Sequence, residues 1–268
     1  ALARMRSLDA LEVLMCTVSR DPAPGTRAAA SDAIRRLSLI APKQVVEAAL
    51  AGIDEGVAPE LGKTLLALGE PALERLLALL TSSDELSVRK AIAGYVAMGQ
   101  AGADVAGLLK EFLLCGSAQT RLAVAQVFDR LGAKPDAPEL WAAYWLAKGD
   151  LERCQALGRP AVAVLVGALP VYDWKRAGAI ACSLVRLGIR LDDPALETIM
   201  AKLRQMSELG DEIVTQMVEV SREGRPSREP VVLAVSHQKE RQAARKLLAA
   251  IDRAWAEQLR RIREELEW

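Results

Sequence analysis

The chain has 268 residues, half of them apolar but only 4% aromatic, so Ala, Leu and Val must fill its core. That composition suits closely packed helices. Thirty-five basic residues balance thirty-five acidic ones, which excludes a global positive field able to recruit nucleic acid or an anionic membrane.

The N-terminal "ALARMRSLDALEVLM" lacks the basic start, apolar run and cleavage site of a secretory signal. The first predicted helix with a repeat-like pattern is Thr26–Ser38, "TRAAASDAIRRLS". A diluted helix pair is expected over Pro42–Leu68. "LGEPALERLLALL" follows at Leu68–Leu80, with Pro71 in the first turn, where its missing N–H is tolerated. A polar turn, "TSSDE", leads to "VRKAIAGYVAMG" at Val88–Gly99. Another diluted pair, Ala101–Cys115, precedes "TRLAVAQVFDRLG" at Thr120–Gly132. After a further diluted pair at Ala137–Leu157, the Leu-Gly-x-Pro-Ala unit returns as "LGRPAVAVLVGAL" at Leu157–Leu169. It leads through "PVYDW" to "RAGAIACSLVRLG" at Arg176–Gly188. The longest apolar run, beginning at Ala161, is too short for the ~20 residues a bilayer requires.

A last diluted pair is expected over Pro194–Arg222, then a linker over residues 223–235 that follows from the polar, Pro/Gly-bearing "SREGRPSREP". "PVVLAVS" is ambiguous between an extended piece and a helix start. Residues 236–268 predict one long helix without Pro or Gly. Its large apolar residues Leu248, Ile251, Trp255, Leu259, Ile262 and Leu266 form a stripe like a coiled-coil seam. Two readings stand for this helix: a cap on the last repeat, or an association helix for a partner or a homo-oligomer.

A period of roughly 30–40 residues built from two antiparallel helices is the mark of an α-solenoid. The pattern Leu-Gly-x-Pro-Ala with a Leu-spaced run, then Val-Arg-x-Ala closing on Leu-Gly or Met-Gly, resembles the HEAT-repeat family, above all its bacterial and archaeal forms. The clear matches are Gly69–Gly99 and Gly158–Gly188, and the likeness extends over residues 1–222. It implies an all-α, right-handed α-α superhelix with a long C-terminal helix appended. It also implies a ladder formed by Arg27, Arg89 and Arg121, which share one repeat position, with Asp84 as the partner of Arg89.

Aromatic residues concentrate in one stretch: Trp141, Tyr144, Trp145, Tyr172 and Trp174 are half of the chain's aromatics. The first three fall at i, i+3 and i+4 on one helical face. With Lys175 and Arg176 they form a candidate partner-binding surface, the competing reading being core filling of a shortened repeat. Cys16, Cys115, Cys154 and Cys182 are widely spaced in apolar patterns and predict reduced core thiols in the cytoplasm. His237 stands alone, predicting a surface position, and no catalytic, metal-binding or phosphate-loop motif is visible. The expectation is a non-enzymatic protein–protein scaffold with no cofactor or metal and no membrane contact. Two alternatives remain: a nucleic-acid-binding protein similar in architecture to HEAT-like alkylpurine DNA glycosylases, which the neutral charge disfavours, and a protein resembling HEAT-like bilin lyases.

Overall fold

The computed structural model describes residues 10–51, 59–209, 212–222 and 225–266. Among them are fourteen helices and one antiparallel hairpin. The chain divides into two compact units, Ala1–Asp150 and Leu151–Trp268. Among the described residues no helix is long and apolar enough to cross a membrane.

The first unit contains α1 (Leu11–Arg20), α2 (Pro24–Ser38), α3 (Pro42–Ala51), α4 (Pro59–Leu68), α5 (Glu70–Leu80), α6 (Glu85–Gln100), α7 (Val105–Cys115), α8 (Ala118–Leu131) and α9 (Pro138–Lys148). Their packing forms two layers. Each odd-numbered helix from α1 to α7 packs on the even-numbered helix that follows it. The even helices α2, α4, α6 and α8 lie side by side, while α3 packs between α1 and α5, and α7 against α9. Ile34, Leu61, Leu65, Leu76, Met98, Leu109 and Phe128 fill the space between layers and are almost fully buried. Side chains start several helices: Asp84 accepts from the Ser87 N–H at 2.9 Å, Asp104 from Gly107 at 2.9 Å, and Ser117 from Thr120 at 3.1 Å. Each satisfies an N–H that the helix cannot use internally.

The two Leu-Gly-x-Pro-Ala copies have one local geometry. Gly69 (φ 65°, ψ −139°) and Gly158 (φ 68°, ψ −134°) are the N-caps of their helices. A side chain at such a φ is strained, so glycine makes this turn, and the proline two residues later sits in the first turn of the helix.

The second unit holds α10 (Leu151–Ala156), α11 (Arg159–Ala168), α12 (Trp174–Arg186), α13 (Pro194–Ser207), β1 (Glu212–Arg222), β2 (Arg225–Val235) and α14 (Gln238–Leu266). The hairpin departs from expectation. The sequence pattern predicts a helix pair reaching Arg222 and a linker over 223–235, but β1 and β2 pair in register from Glu212↔Val235 to Arg222↔Arg225. Their Val, Ile and Thr content favours strands. Pro226 and Pro230 are an even number of residues apart, so both can take positions whose missing N–H points away from the partner strand.

Helix α14 packs on α12 and α13. Ala244, Ile251 and Ala254 are buried there, and Leu247 lies beside Gly178 of α12. The same helix covers the carbonyl ends of its neighbours. Arg241 donates to the Leu209 carbonyl at 2.7 Å, Arg245 to Ser207 at 3.2 Å, and the Gln258 amide to the Arg186 carbonyl.

Candidate functional site

Helix α9 starts at Pro138 and ends at Gly149, which adopts a left-handed conformation (φ 83°). Its Trp141 and Trp145 rings stack at 5.6 Å with only 20° between their planes. Tyr144 meets both edge-on, at 5.6 and 4.9 Å. Tyr144 is 8% exposed, whereas both tryptophans are half-buried. The cluster therefore divides between the two readings of its sequence, with one ring in the core and two partly presented.

Behind the rings lies a polar clamp. The Tyr144 hydroxyl donates to Asp129 of α8, and Lys148 donates to the other Asp129 oxygen at 2.8 Å. Lys148 also lies 3.3 Å from the Tyr144 hydroxyl and 5.3 Å from its ring centroid. Burial opposes the charge of Asp129, but the hydrogen bonds from Lys148 and Tyr144 outweigh it and lower the carboxyl pKa. Burial and the bond to Asp129 raise that of Tyr144, and the contact with Asp129 raises that of Lys148. These directions favour a neutral Tyr144 hydroxyl between a charged Asp129 and a charged Lys148. The clamp fastens α9 to α8.

Tyr172, Trp174, Lys175 and Arg176 gather at the start of α12. The Arg176 guanidinium lies 4.4 Å from the Tyr172 ring centroid, and Lys175 Nζ 5.4 Å from that of Trp174. Asp173 caps the helix, accepting from the N–H groups of Lys175 at 2.9 Å and Arg176 at 3.1 Å. Both cations thus rest on aromatic faces beside a capped helix end. The two aromatic groups belong to separate units, Trp141–Trp145 to the first and Tyr172–Trp174 to the second.

The repeat-position arginines behave differently from one another. Arg27 donates to the carbonyls of Asp21 at 2.8 Å and Pro22 at 3.3 Å, just beyond α1. Arg121 is 2% exposed and donates to Leu114 at 2.6 Å and Gly116 at 2.9 Å, at the end of α7. Both neutralise the carbonyl end of the preceding helix. Arg89 does not. It is exposed and pairs with Glu85 at 2.7 Å, because Asp84, its expected partner, is engaged by the Ser87 N–H and hydroxyl.

The α14 stripe divides as well. Ile251 is buried and Leu248 and Trp255 are half-buried, but Leu259 is 47% and Ile262 45% exposed. The Leu266 side chain lies outside the described residues. The contact with α12 and α13 instead follows Ala244, Leu247, Ile251 and Ala254. Leu259 and Ile262 are one position beyond the continuation of that seam at Gln258 and Arg261, which turns them about 100° away from it. The alanines of this contact leave no mark in a stripe defined by large apolar side chains.

Cys154 and Cys182 are buried as expected, whereas Cys16 and Cys115 are exposed, which corrects their reading as core residues. Burial pushes the Cys182 thiol up. His237 is half-buried beside the start of α14, not at the open surface. Among the described residues no cluster of three or more His, Cys, Asp or Glu side chains is placed to hold a metal ion. Comparison with protein-family models, curated proteins and solved structures gives no match.

Proposed function

We propose that the chain is a HEAT-like repeat scaffold, a right-handed α-α superhelix that binds another protein in the cytoplasm and performs no chemistry of its own. The observation that carries this reading is the two-layer stack of helix pairs, with Arg27 and Arg121 closing the preceding helix from one repeat position. Stacked pairs of this kind offer an extended surface made from many helices, each contributing a few exposed side chains. The half-buried Trp141 and Trp145 provide rigid apolar anchors, and the exposed Leu259 and Ile262 offer a second contact for a partner or another copy.

Affinity capture with the immobilised full chain tests the proposal. A protein retained from source-cell lysate after nuclease treatment, and reduced by Trp145→Ala, is the expected result. A variant that melts several degrees lower yet captures the same protein equally would assign Trp145 to the core. Retention no better than on blocked resin would end the scaffold reading.

A further inference from the structure

The two layers of the first unit carry different charge. On the even helices each carboxylate whose side chain is described already has an ion-pair partner. Asp32 pairs with Arg35 at 3.1 Å, Glu85 with Arg89 at 2.7 Å, and Asp129 with Lys148 at 2.8 Å. Four cations remain without an ion pair among the described residues: Arg36 on α2, Lys63 on α4, Lys90 on α6 and Arg130 on α8. Each helix supplies one. Arg36, Lys63 and Arg130 are exposed and Lys90 is half-exposed, adding a longer-range pull on Asp84. Arg36 and Arg130 occupy the same repeat position, nine residues after Arg27 and Arg121. Exposed Leu66, Leu86 and Leu122 stand on the same helices. The odd layer has the opposite bias: its described exposed acids Glu12, Glu47, Glu70, Glu74, Glu111 and Glu139 outnumber its described exposed cations Lys43, Arg75, Lys110 and Lys148.

From this segregation we infer that the even layer of the first unit docks an acidic polypeptide segment that also carries apolar side chains. The inference rests on the scaffold reading and names the partner's chemistry. Helices packed side by side are about 8–10 Å apart, so cations on four of them extend over about 30 Å. That matches a helix of about 20 residues. Carboxylates on the segment would meet the unpaired cations without displacing an existing pair, while its apolar side chains cover the leucines. A nucleic acid fits less well. Binding of a single strand uses exposed aromatic rings, and the aromatic residues of these four helices, Tyr95 and Phe128, are buried.

Fluorescence anisotropy of the full chain tests this with three labelled probes. They are an amphipathic Glu/Leu peptide of about 20 residues, the same peptide with Lys replacing Glu, and an oligothymidylate of equal charge. The Glu peptide should bind, weaken about tenfold between about 50 and 200 mM salt, and outcompete both other probes. Reversing these four charges (Arg36→Glu, Lys63→Glu, Lys90→Glu, Arg130→Glu) should weaken it by about tenfold or more. The odd-layer pair Lys43→Glu and Lys110→Glu should leave it unchanged. Should the fourfold variant melt early, the milder Lys63→Gln with Arg130→Gln must still weaken binding several-fold. No binding of the Glu peptide, equal binding by the reversed variant, or oligothymidylate binding as tightly, would overturn the inference. If lysate capture still retrieves a protein with the reversed variant, the scaffold reading survives and only the acidic partner falls.

Discussion

The crossing of α4 and α6 makes a sharp prediction about a single methyl group. Gly62 of α4 lies so close to α6 that a Cβ added there would sit inside the Ala97 carbonyl and 3.0 Å from the Met98 nitrogen. Carbon atoms pack best at about 3.5–4 Å, so Gly62→Ala must part the helices by on the order of 1 Å. The obstacle is backbone, which cannot swing aside as a side chain would. The Ala97 carbonyl also accepts the N–H of Ala101 at 3.0 Å, so tilting it costs a helix-ending hydrogen bond.

Two effects of opposite sign compete in that substitution. Replacing glycine inside a helix by alanine gains about 1 kcal/mol of backbone propensity. Overpacking a closed contact costs about 1–3 kcal/mol, and a backbone clash belongs at the upper end. The net expectation is a loss of about 2 kcal/mol, or about 4–8 °C in melting temperature for a unit of this size. Gly167→Ala supplies the control. Gly167 is exposed in α11 with nothing within 4 Å of an added Cβ, so the propensity gain stands alone and raises stability by up to about 1 kcal/mol. Thermal and urea unfolding followed by circular dichroism would measure both. A Gly62→Ala protein as stable as wild type would refute the close approach.

Two further outcomes follow from the repeat arginines and from Tyr95. Arg121→Met keeps the buried stem but removes the donors to Leu114 and Gly116, and is expected to cost about 1–3 kcal/mol, partly offset by losing a buried charge whose Nη1 has no partner. Arg89→Ala at the equivalent repeat position removes only an exposed pair and should stay within about 0.5 kcal/mol in the same urea titration. Burial pushes the Tyr95 hydroxyl up to about 12. A raised pKa contributes stability that is complete below the unfolded value of 10.0 and lost as pH climbs towards the folded one. Phenolate absorbance should rise late, and stability should fall by about 2–3 kcal/mol between those values, a decline that Tyr95→Phe should flatten.

Much of the helical architecture was legible because its signals are local. Gly69 and Gly158 announce their turns through a backbone geometry that favours glycine, and Pro71 and Pro160 lie in the first turns of the helices that follow. Signals that depend on a neighbour were misread. Arg89 carries the same letter as Arg121, but Asp84 was already committed to Ser87 two residues before Arg89, and no spacing rule discloses that competition. The hairpin was hidden for a different reason. "EIVTQMVEV" and "VVLAV" are rich in β-branched residues, but extending a helical repeat rhythm to Arg222 overrode their own strand preference. In α14, size misled: helices that approach closely do so through Ala244 and Ala254, leaving Leu259 and Ile262 outside.

Net charge was the least informative quantity, and the structure explains why. A balance of thirty-five against thirty-five counts cations that do unlike work. Arg121 is buried against the carbonyl end of α7 and Arg27 is half-buried at that of α1, so both are committed to holding one helix to the next. Arg36 and Arg130, nine residues later in the same repeats, reach solvent without an ion pair among the described residues. Asp32 and Glu85 are taken up by Arg35 and Arg89 of their own helices, and Asp129 by a lysine of the neighbouring α9. The repeat thus places one arginine on its own turn and leaves another available outside, a division that burial reveals and composition averages away.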